Sequence, residues 1–384
     1  MTEIENLWEQ IDDLALPLAS KELPLLKAAG CALASDVIAH CDLPGFDLSS
    51  MDGFAFAETS PGTCRVTGEI AAGDAGELSV GAGQAVRIFT GAKIPAGTLV
   101  VASQEDCIAM DQGVKLKPGI ALESRENIRD RGGVVRQGET LLSAGTPIGA
   151  GSIALLASCG IRTVPVVPCP AVLHLATGSE LVEAGTPLGP GKIYDSNGPM
   201  MESLLQEAGI RQVVRRRLED SSGELLKSVQ AFDGDLLLIS GGSGPGDHDH
   251  TFSALTDAGY QIHASRINSR PGRPLIFASK GRQLAFGLPG NPLSHWVCFH
   301  AFVLRAIRRM QALPPCALLD LPLSHPIREK GDGRRTWTPG VMQWANGNPS
   351  ILPLPWRHSG DLTPLTSANA LILDGRQTML LDCH

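Results

Sequence analysis

Residues 235–249 read Asp235-Leu-Leu-Leu-Ile-Ser-Gly-Gly-Ser-Gly-Pro-Gly-Asp-His-Asp249. Leu236 to Ile239 is a continuous apolar run of strand length, which suits a strand buried on both faces. A glycine-rich loop follows from Ser240 to Asp249, and Thr251 to Ala258 then carries helical character. The same strand, loop and helix order recurs on both sides. Ala171 to Ala176 is an expected strand, followed by the loop Thr177-Gly-Ser-Glu180. Asp195-Ser-Asn197 precedes an expected helix from Pro199 to Glu207, closed by Gly209. Gln283 to Phe286 is an expected strand, Gly287 to Pro292 a loop, and Leu293 to Met310 a helix. Such alternation predicts a parallel sheet with helices on both faces and ligands beyond the C-terminal strand ends.

The pattern differs outside this segment. Residues 1–38 read as two helical segments, the first with Ile4, Leu7, Ile11 and Leu14 at helical spacing, the second with Leu25, Leu26 and Leu33. Between about 43 and 138, short apolar pieces alternate with Gly, Pro and Asp turns, as in a small all-β domain. Residues 139–166 carry a short strand pair and a helix, Gly151 to Cys159, ended by Gly160. After Leu313-Pro-Pro315 the helical signal stops. The expected class is therefore α/β plus β and multidomain, with one doubly wound α/β domain and small β domains. The expected division is 1–42 with 139–167 as a mixed linking domain, its first helix packing on the α/β domain. The inserted β domain is 43–138, the α/β domain 168–312 and the C-terminal β domain 313–384.

The 384 residues are 43% hydrophobic and 19% charged, a composition for globular folding in several domains. A net charge of −8 argues against a nucleic-acid partner. The basic runs Arg215–Arg217, Arg305–Arg309 and Arg334-Arg335 are short enough to be solvated edges or helix faces. Nine scattered cysteines without zinc spacing are expected to be reduced thiols of a cytoplasmic protein. The acidic opening residues do not resemble a signal peptide, and no apolar run approaches membrane-spanning length.

Four loops are candidates for chemistry. In Ser240-Gly241-Gly242-Ser243-Gly244-Pro-Gly246, the glycines permit left-handed backbone and expose N–H groups to an anion, and Asp247 and Asp249 are placed to hold a metal. The competing reading is a turn with capping aspartates. Pro289-Gly290-Asn291 lies in a second strand-to-helix loop, where Pro292 equally suits a rigid helix start. Residues 43–55, with Asp52-Gly53, are either a functional loop or a plain turn. Arg270-Pro-Gly-Arg273 sets two guanidiniums on a stiff turn, fitting a phosphate or carboxylate or simply a surface turn.

Taken together, these loops resemble the molybdopterin molybdenumtransferase family, which includes bacterial MoeA and the C-terminal domain of gephyrin. The resemblance runs from Leu23 to about Asp374. Its motifs are Leu43-Pro-Gly-Phe-Asp47 with Met51-Asp-Gly-Phe-Ala55, Arg87-Ile-Phe-Thr-Gly-Ala-Lys-Ile-Pro95 with Gln104-Glu105, and Asn127-Ile-Arg-Asp-Arg-Gly132. They continue with Thr177-Gly-Ser-Glu-Leu181 and Tyr194-Asp-Ser-Asn197, the Ser240 to Asp249 loop, Pro271-Gly-Arg-Pro274, and Gly287 to Pro292. Single pieces are weak; seven in family order and spacing are strong.

The resemblance implies a molybdopterin-binding α/β domain, an elongated homodimer whose active site is shared between subunits, and a cytoplasmic enzyme of molybdenum cofactor biosynthesis. It implies adenylyl-molybdopterin and molybdate as substrates, AMP as product and Mg2+ as cofactor. A molybdopterin-adenylylating protein and molybdoenzymes are the implied partners. The implied catalytic residues are Asp52, Thr90, Glu180 and Asp249, and the implied metal ligands Asp249, Glu180 and Asp220. Ser240, Gly241, Gly242, Ser243, Gly244, Gly246, Asp195, Asn197, Arg270, Arg273, Pro289, Gly290 and Asn291 are the implied cofactor-binding residues. Some positions depart from the family. Arg270 and Arg273 stand where lysines are usual, Gly133 and Val134 where carboxylates are usual, Pro339 where an arginine is expected, and His358 where a glycine is expected. The alternative reading is a non-catalytic molybdopterin-binding paralogue or scaffold.

Overall fold

The computed structural model describes residues 1–74, 77–111, 113–210, 213–218, 222–241, 250–327, 333–345 and 347–381. The chain forms two compact units. One comprises Met1–Ala34, Gly145–Gly149 and Pro165–His384, the other Ser35–Ala144 and Ala150–Val164.

The first unit opens with α1 (Ile4–Leu14), whose Ile4, Leu7 and Ile11 are fully buried. Spacing of three and four residues puts these side chains on one stripe, and burying each contributes about 1.5–3 kcal/mol. The expected second helix is not formed. Residues Lys21–Pro24 and Ala32–Leu33 are short strands around a single 3₁₀ turn, Leu25–Lys27. Pro24 and Gly30 bracket too few residues for a helix, and Leu33 pairs with Val166 instead.

In the second unit, β1 (Gly53–Phe56), β2 (Arg65–Ile70), β3 (Gln84–Ile88) and β4 (Val100–Ser103) form a sheet in the order β2-β3-β1-β4. Alternate residues supply a core on each face: Phe54, Phe56 and Val100 on one, Ala55, Val86, Ile88 and Val101 on the other. A helix, α2 (Ala150–Ser158), also belongs to this unit.

The main sheet of the first unit contains β5 (Val172–Thr177), β6 (Val213–Leu218), β7 (Leu236–Ser240), β8 (Gln261–Ala264), β9 (Ile276–Lys280) and β10 (Gln283–Leu288). Its order is β6-β5-β7-β10-β9-β8. The first four strands are parallel, as expected; at one edge β9 runs antiparallel to β10, and β8, antiparallel to β9, returns to the direction of the first four. The β9–β10 hairpin is closed by Gly281 at φ 59°, a tight turn that makes a crossover helix unnecessary.

Both faces of this sheet are covered. Val172, Leu236, Leu238, Leu284 and Phe286 pack with α1, α3 (Asn197–Glu207), α6 (Pro292–Cys298) and α7 (Leu304–Met310). Leu173, Leu175, Leu237 and Ile239 pack with α4 (Ser222–Gln230) and α5 (His250–Asp257). A π-helical turn, Phe299–Val303, joins α6 to α7. The basic run on α7 is more than a solvated face: Arg305 makes a two-pronged pair with Asp12 (2.8 and 2.6 Å), and Trp8 Nε1 donates to the Ala301 carbonyl at 2.8 Å. These bonds fix α1 to the helical layer.

After α7 come the strands Leu318–Asp320, Arg335–Ala345, Asn348–Pro353, Ala370–Leu373 and Gln377–Leu380. The short strand Ser269–Arg270 pairs in parallel with Arg335–Thr336, which draws the arginine turn against this last sheet. No described helix is long and apolar enough to cross a membrane, and no disulfide joins the eight described cysteines.

Candidate active site

β5, β7 and β10 are adjacent parallel strands, and the residues directly after them, Gly178, Gly241 and Pro289, stand at their C-terminal ends. Gly241, directly after β7, has φ 91°. A Cβ there would stand 2.5 Å from the Thr177 carbonyl oxygen and 2.9 Å from Thr177 Oγ1, so only glycine fits. Thr177 Oγ1 donates to the Ser240 carbonyl at 3.2 Å, which ties the end of β5 to the end of β7. The loop is anchored further by Thr251, whose Oγ1 donates to the Gly241 carbonyl at 3.1 Å.

Beneath this turn lies a buried relay that the sequence reading did not identify. Ser240 Oγ lies 2.6 Å from His174 Nε2 and 3.4 Å from His295 Nε2, and His295 Nδ1 lies 3.2 Å from the Pro289 carbonyl. Burial pushes the His174 pKa down to about 3 and that of His295 to about 4, so both rings are neutral near pH 7. A carbonyl only accepts, so the single proton of His295 is on Nδ1. Ser240 then donates to His295 Nε2, and His174 Nε2 donates to Ser240 Oγ. The chain of bonds couples the Ser240-Gly241 turn to the Pro289-Gly290-Asn291 loop. The missed signal was His174 in the middle of an apolar strand, a position that requires a polar partner.

Asn197 Nδ2 donates to the Gly290 carbonyl at 2.7 Å, while its buried Oδ1 has no partner among the described residues. Asp195 is buried and committed to the protein. Its Oδ1 accepts from Gly198 N–H at 2.8 Å, and its Oδ2 pairs with Arg215. Asp195 therefore sets the start of α3 and the orientation of Asn197. Arg215 belongs to a run expected to be a solvated edge, but it alternates inward along β6 and is an internal ion pair. Glu180 is exposed, and its carboxylate folds back over Gly178, where a Cβ would lie 2.9 and 3.0 Å from the two oxygens.

The arginine turn borders a cavity of about 370 Å³. Arg270, Arg273, Arg334 and Arg357 line it, with Pro289, Asn291, Trp356, His358 and Ser359. Gly272 has φ 103°, and a Cβ there would be 2.7 Å from Cys298 Sγ, so the turn lies flat on α6. Arg270 sits over the Trp356 ring, 5.8 Å from its centroid. Arg357 is partly neutralised by a two-pronged pair with Asp361 (2.9 and 3.1 Å), and the Arg357 guanidinium holds the Asp361 carboxyl far below the usual carboxylate range. Four guanidinium groups on one cavity are the donor type that suits an oxyanion. Arg334, expected at a solvated edge, and His358, a departure from the family pattern, both face it.

In the second unit, Asp52 and Thr90 come together from separate loops. Asp52 Oδ1 accepts from Thr90 N–H at 2.8 Å and from Thr90 Oγ1 at 2.7 Å. The backbone and side-chain bonds from Thr90 hold the Asp52 carboxyl below its ordinary value, with Arg87 adding to them. The adjoining Gly53 is obligatory, since a Cβ would lie 1.8 Å from the Ala102 carbonyl oxygen. Nearby, Asp47 accepts from Arg131 N–H at 2.8 Å and pairs with Arg125 at 2.7 Å, ordering the segment that holds Gly133 and Val134.

Gly242, Ser243, Gly244, Gly246, Asp249 and Asp220 lie outside the described residues. Among the described residues, no group of three or more His, Cys, Asp or Glu side chains is placed to hold a metal.

Comparison with known proteins agrees with this fold and loop set. The model of the MoeA N-terminal region (domain I and II) matches residues 2–160, and that of a probable molybdopterin binding domain matches residues 174–309. The two together define a molybdopterin-binding protein of MoeA type. The molybdopterin molybdenumtransferase of Staphylococcus epidermidis is 30% identical over 367 residues, spanning 90% of this chain and 85% of that one. The Staphylococcus aureus protein of the same name is 29% identical over 91% of this chain and 85% of its own length. Two solved structures of the molybdopterin biosynthesis MoeA protein of Pyrococcus horikoshii superpose with TM-scores of 0.73 and 0.77, at 25% and 24% identity. They cover 99% of this chain and 99% and 100% of their own. The chain belongs to the molybdopterin molybdenumtransferase family, the transferases of molybdenum cofactor biosynthesis.

Proposed function

We propose that the protein inserts molybdate into adenylylated molybdopterin and releases AMP, as a cytoplasmic homodimer with a doubly wound molybdopterin-binding domain. Its four-part division follows the boundaries at about 42, 138, 167 and 312. An adenylylating protein supplies the substrate, and molybdoenzymes receive the product. The observation that carries this reading is the arginine-lined cavity beside the strand ends of a molybdopterin-binding fold.

Arg270, Arg273 and Arg334 hold the oxyanion, each planar fork supplying charge and direction. The loop from Gly241 to Gly246 offers backbone N–H groups to the pterin phosphate. Asn197 Oδ1, fixed by the bond from Nδ2 to Gly290, accepts from a donor N–H of the ligand. Asp52 stays ionised and is a poor base, so it binds a donor or cation of the substrate at Oδ2 and does not take its proton. Glu180, Asp220 and Asp249 form the set for magnesium. All are hard oxygen donors, the type this ion takes, and Glu180 stands at the strand ends. A magnesium ion held there would neutralise charge at the leaving phosphate.

Incubation of purified protein with adenylyl-molybdopterin and Mg2+ tests this directly. AMP should appear only after molybdate is added. Tight binding of the pterin with no AMP under any condition would support the non-catalytic scaffold instead.

A further inference from the structure

Cys31 and Cys169 are 138 positions apart in the chain, yet their sulfurs lie 3.9 Å apart. Cys31 is buried and Cys169 half-buried. Both border a cavity of about 340 Å³, which Lys21 and Lys27 also line. Those two lysines are exposed, so their ammonium groups favour an anionic visitor. Gln311, itself buried, donates from Nε2 to Cys169 Sγ at 3.1 Å. Cys169 Sγ also lies 3.4 Å from the Gly209 carbonyl, to which its S–H donates, and Cys169 is the more open of the pair, so it meets an incoming disulfide first. A disulfide needs its sulfurs at about 2.05 Å, so the pair must close from 3.9 Å to that length.

We propose that this cavity is a thiol–disulfide exchange site. It takes an anionic low-molecular-weight disulfide and converts Cys31 and Cys169 to an internal disulfide. Cys169 loses its proton to water, and its thiolate attacks one sulfur of the incoming disulfide. The old S–S bond breaks, a mixed disulfide forms on Cys169, and the first small thiolate leaves and takes up a proton. Cys31 loses its proton in turn and attacks Cys169 Sγ, so the second small thiolate leaves and is protonated. Two protein thiols are oxidised by two electrons, and one small disulfide is reduced to two thiols. The closed loop, residues 31–169, contains every residue of the second unit. Tying off so long a loop restricts the unfolded chain, so the oxidised protein resists denaturation better than the reduced one.

This site is separate from the transfer loops, and its test needs no turnover. The full chain is titrated with glutathione disulfide, quenched with an alkylating agent, and mapped by peptide mass spectrometry. Cys31 and Cys169 should lose alkylation together and appear as one cross-linked peptide pair, with a raised denaturation midpoint. In Cys31→Ser, the Cys169 mixed disulfide should accumulate; Cys41→Ser should oxidise like the wild type. Lys21→Glu with Lys27→Glu should slow oxidation by glutathione disulfide roughly tenfold at low salt while leaving that by uncharged hydroxyethyl disulfide unchanged. Cys31 and Cys169 both remaining alkylatable, or a different pair forming the cross-link, overturns the proposal. Equal slowing with both oxidants removes the anionic specificity it assigns to the cavity.

Discussion

Asp52 Oδ1 accepts two hydrogen bonds from a single residue, Thr90, one from its backbone at 2.8 Å and one from its hydroxyl at 2.7 Å. The pair closes a link between two loops of the second unit and holds the carboxylate ionised. Both groups are exposed, so the arrangement serves chemistry more than stability.

Thr90→Val keeps the backbone bond and removes the one from the hydroxyl. Turnover should fall roughly tenfold to hundredfold, the usual worth of a hydrogen bond to a charged group. The Asp52 carboxyl midpoint, followed by NMR, should move up toward the ordinary aspartate value of 3.8. An unmoved midpoint would show that the hydroxyl does not hold the charge.

Gly241→Ala should be severe. The new methyl must avoid a carbonyl oxygen 2.5 Å away, and the backbone is held at φ 91°. The expected cost is about 2–3 kcal/mol from strain and steric displacement, read from the urea midpoint. Pterin affinity should fall with it, because the turn opens the phosphate loop. Wild-type stability in this variant would mean that the turn is not held as described.

The buried histidines predict acid sensitivity. Burial sets the folded pKa at about 3 for His174, about 4 for His295 and about 3 for His300, against 6.5 in the unfolded chain. The folded state thus binds fewer protons between these values. Stability is full above about pH 6.5 and falls as the pH drops toward the folded values. Between about pH 7.5 and pH 5 the loss should be roughly 2 kcal/mol per buried histidine. Replacing His300, which lies outside the Ser240 relay, with Phe should flatten part of that slope. A stability profile level across this range contradicts the neutral, buried assignment.

Much of this was legible in the sequence. Leu236 to Ile239 marks the central strand, and Gly241 directly after it takes the left-handed backbone that the glycine-rich run allows. The arginine turn also carried its own signal in two guanidiniums bracketing Pro-Gly. What stayed hidden depended on partners distant in sequence. Arg215 looked like one of three surface arginines until strand alternation brought it to Asp195. Arg334 and His358 face the anion cavity only because Ser269–Arg270 pairs with Arg335–Thr336. Residues 15–38 misled because leucines at helical spacing also fit short strands, and pairing with Val166 decided between them.

The arginines that replace family lysines give a further prediction. Arg273→Ala should weaken molybdate binding, and the difference should be larger at low salt. Arg270→Lys with Arg273→Lys keeps the charge but loses the planar forks and the stacking on Trp356. If charge is sufficient, calorimetry should give molybdate affinity within about threefold of wild type. A much larger loss would assign the recognition to fork geometry.

The most direct test of the account is molybdenum incorporation. Purified protein is incubated with adenylyl-molybdopterin, Mg2+ and molybdate, then denatured, and the pterin fraction is assayed for bound molybdenum and for activation of a cofactor-free molybdoenzyme. The wild type should yield molybdenum-loaded pterin that activates the acceptor, and Asp52→Asn should yield little. A pterin fraction free of molybdenum from wild-type protein that still binds its substrate would contradict the assignment as a transferase.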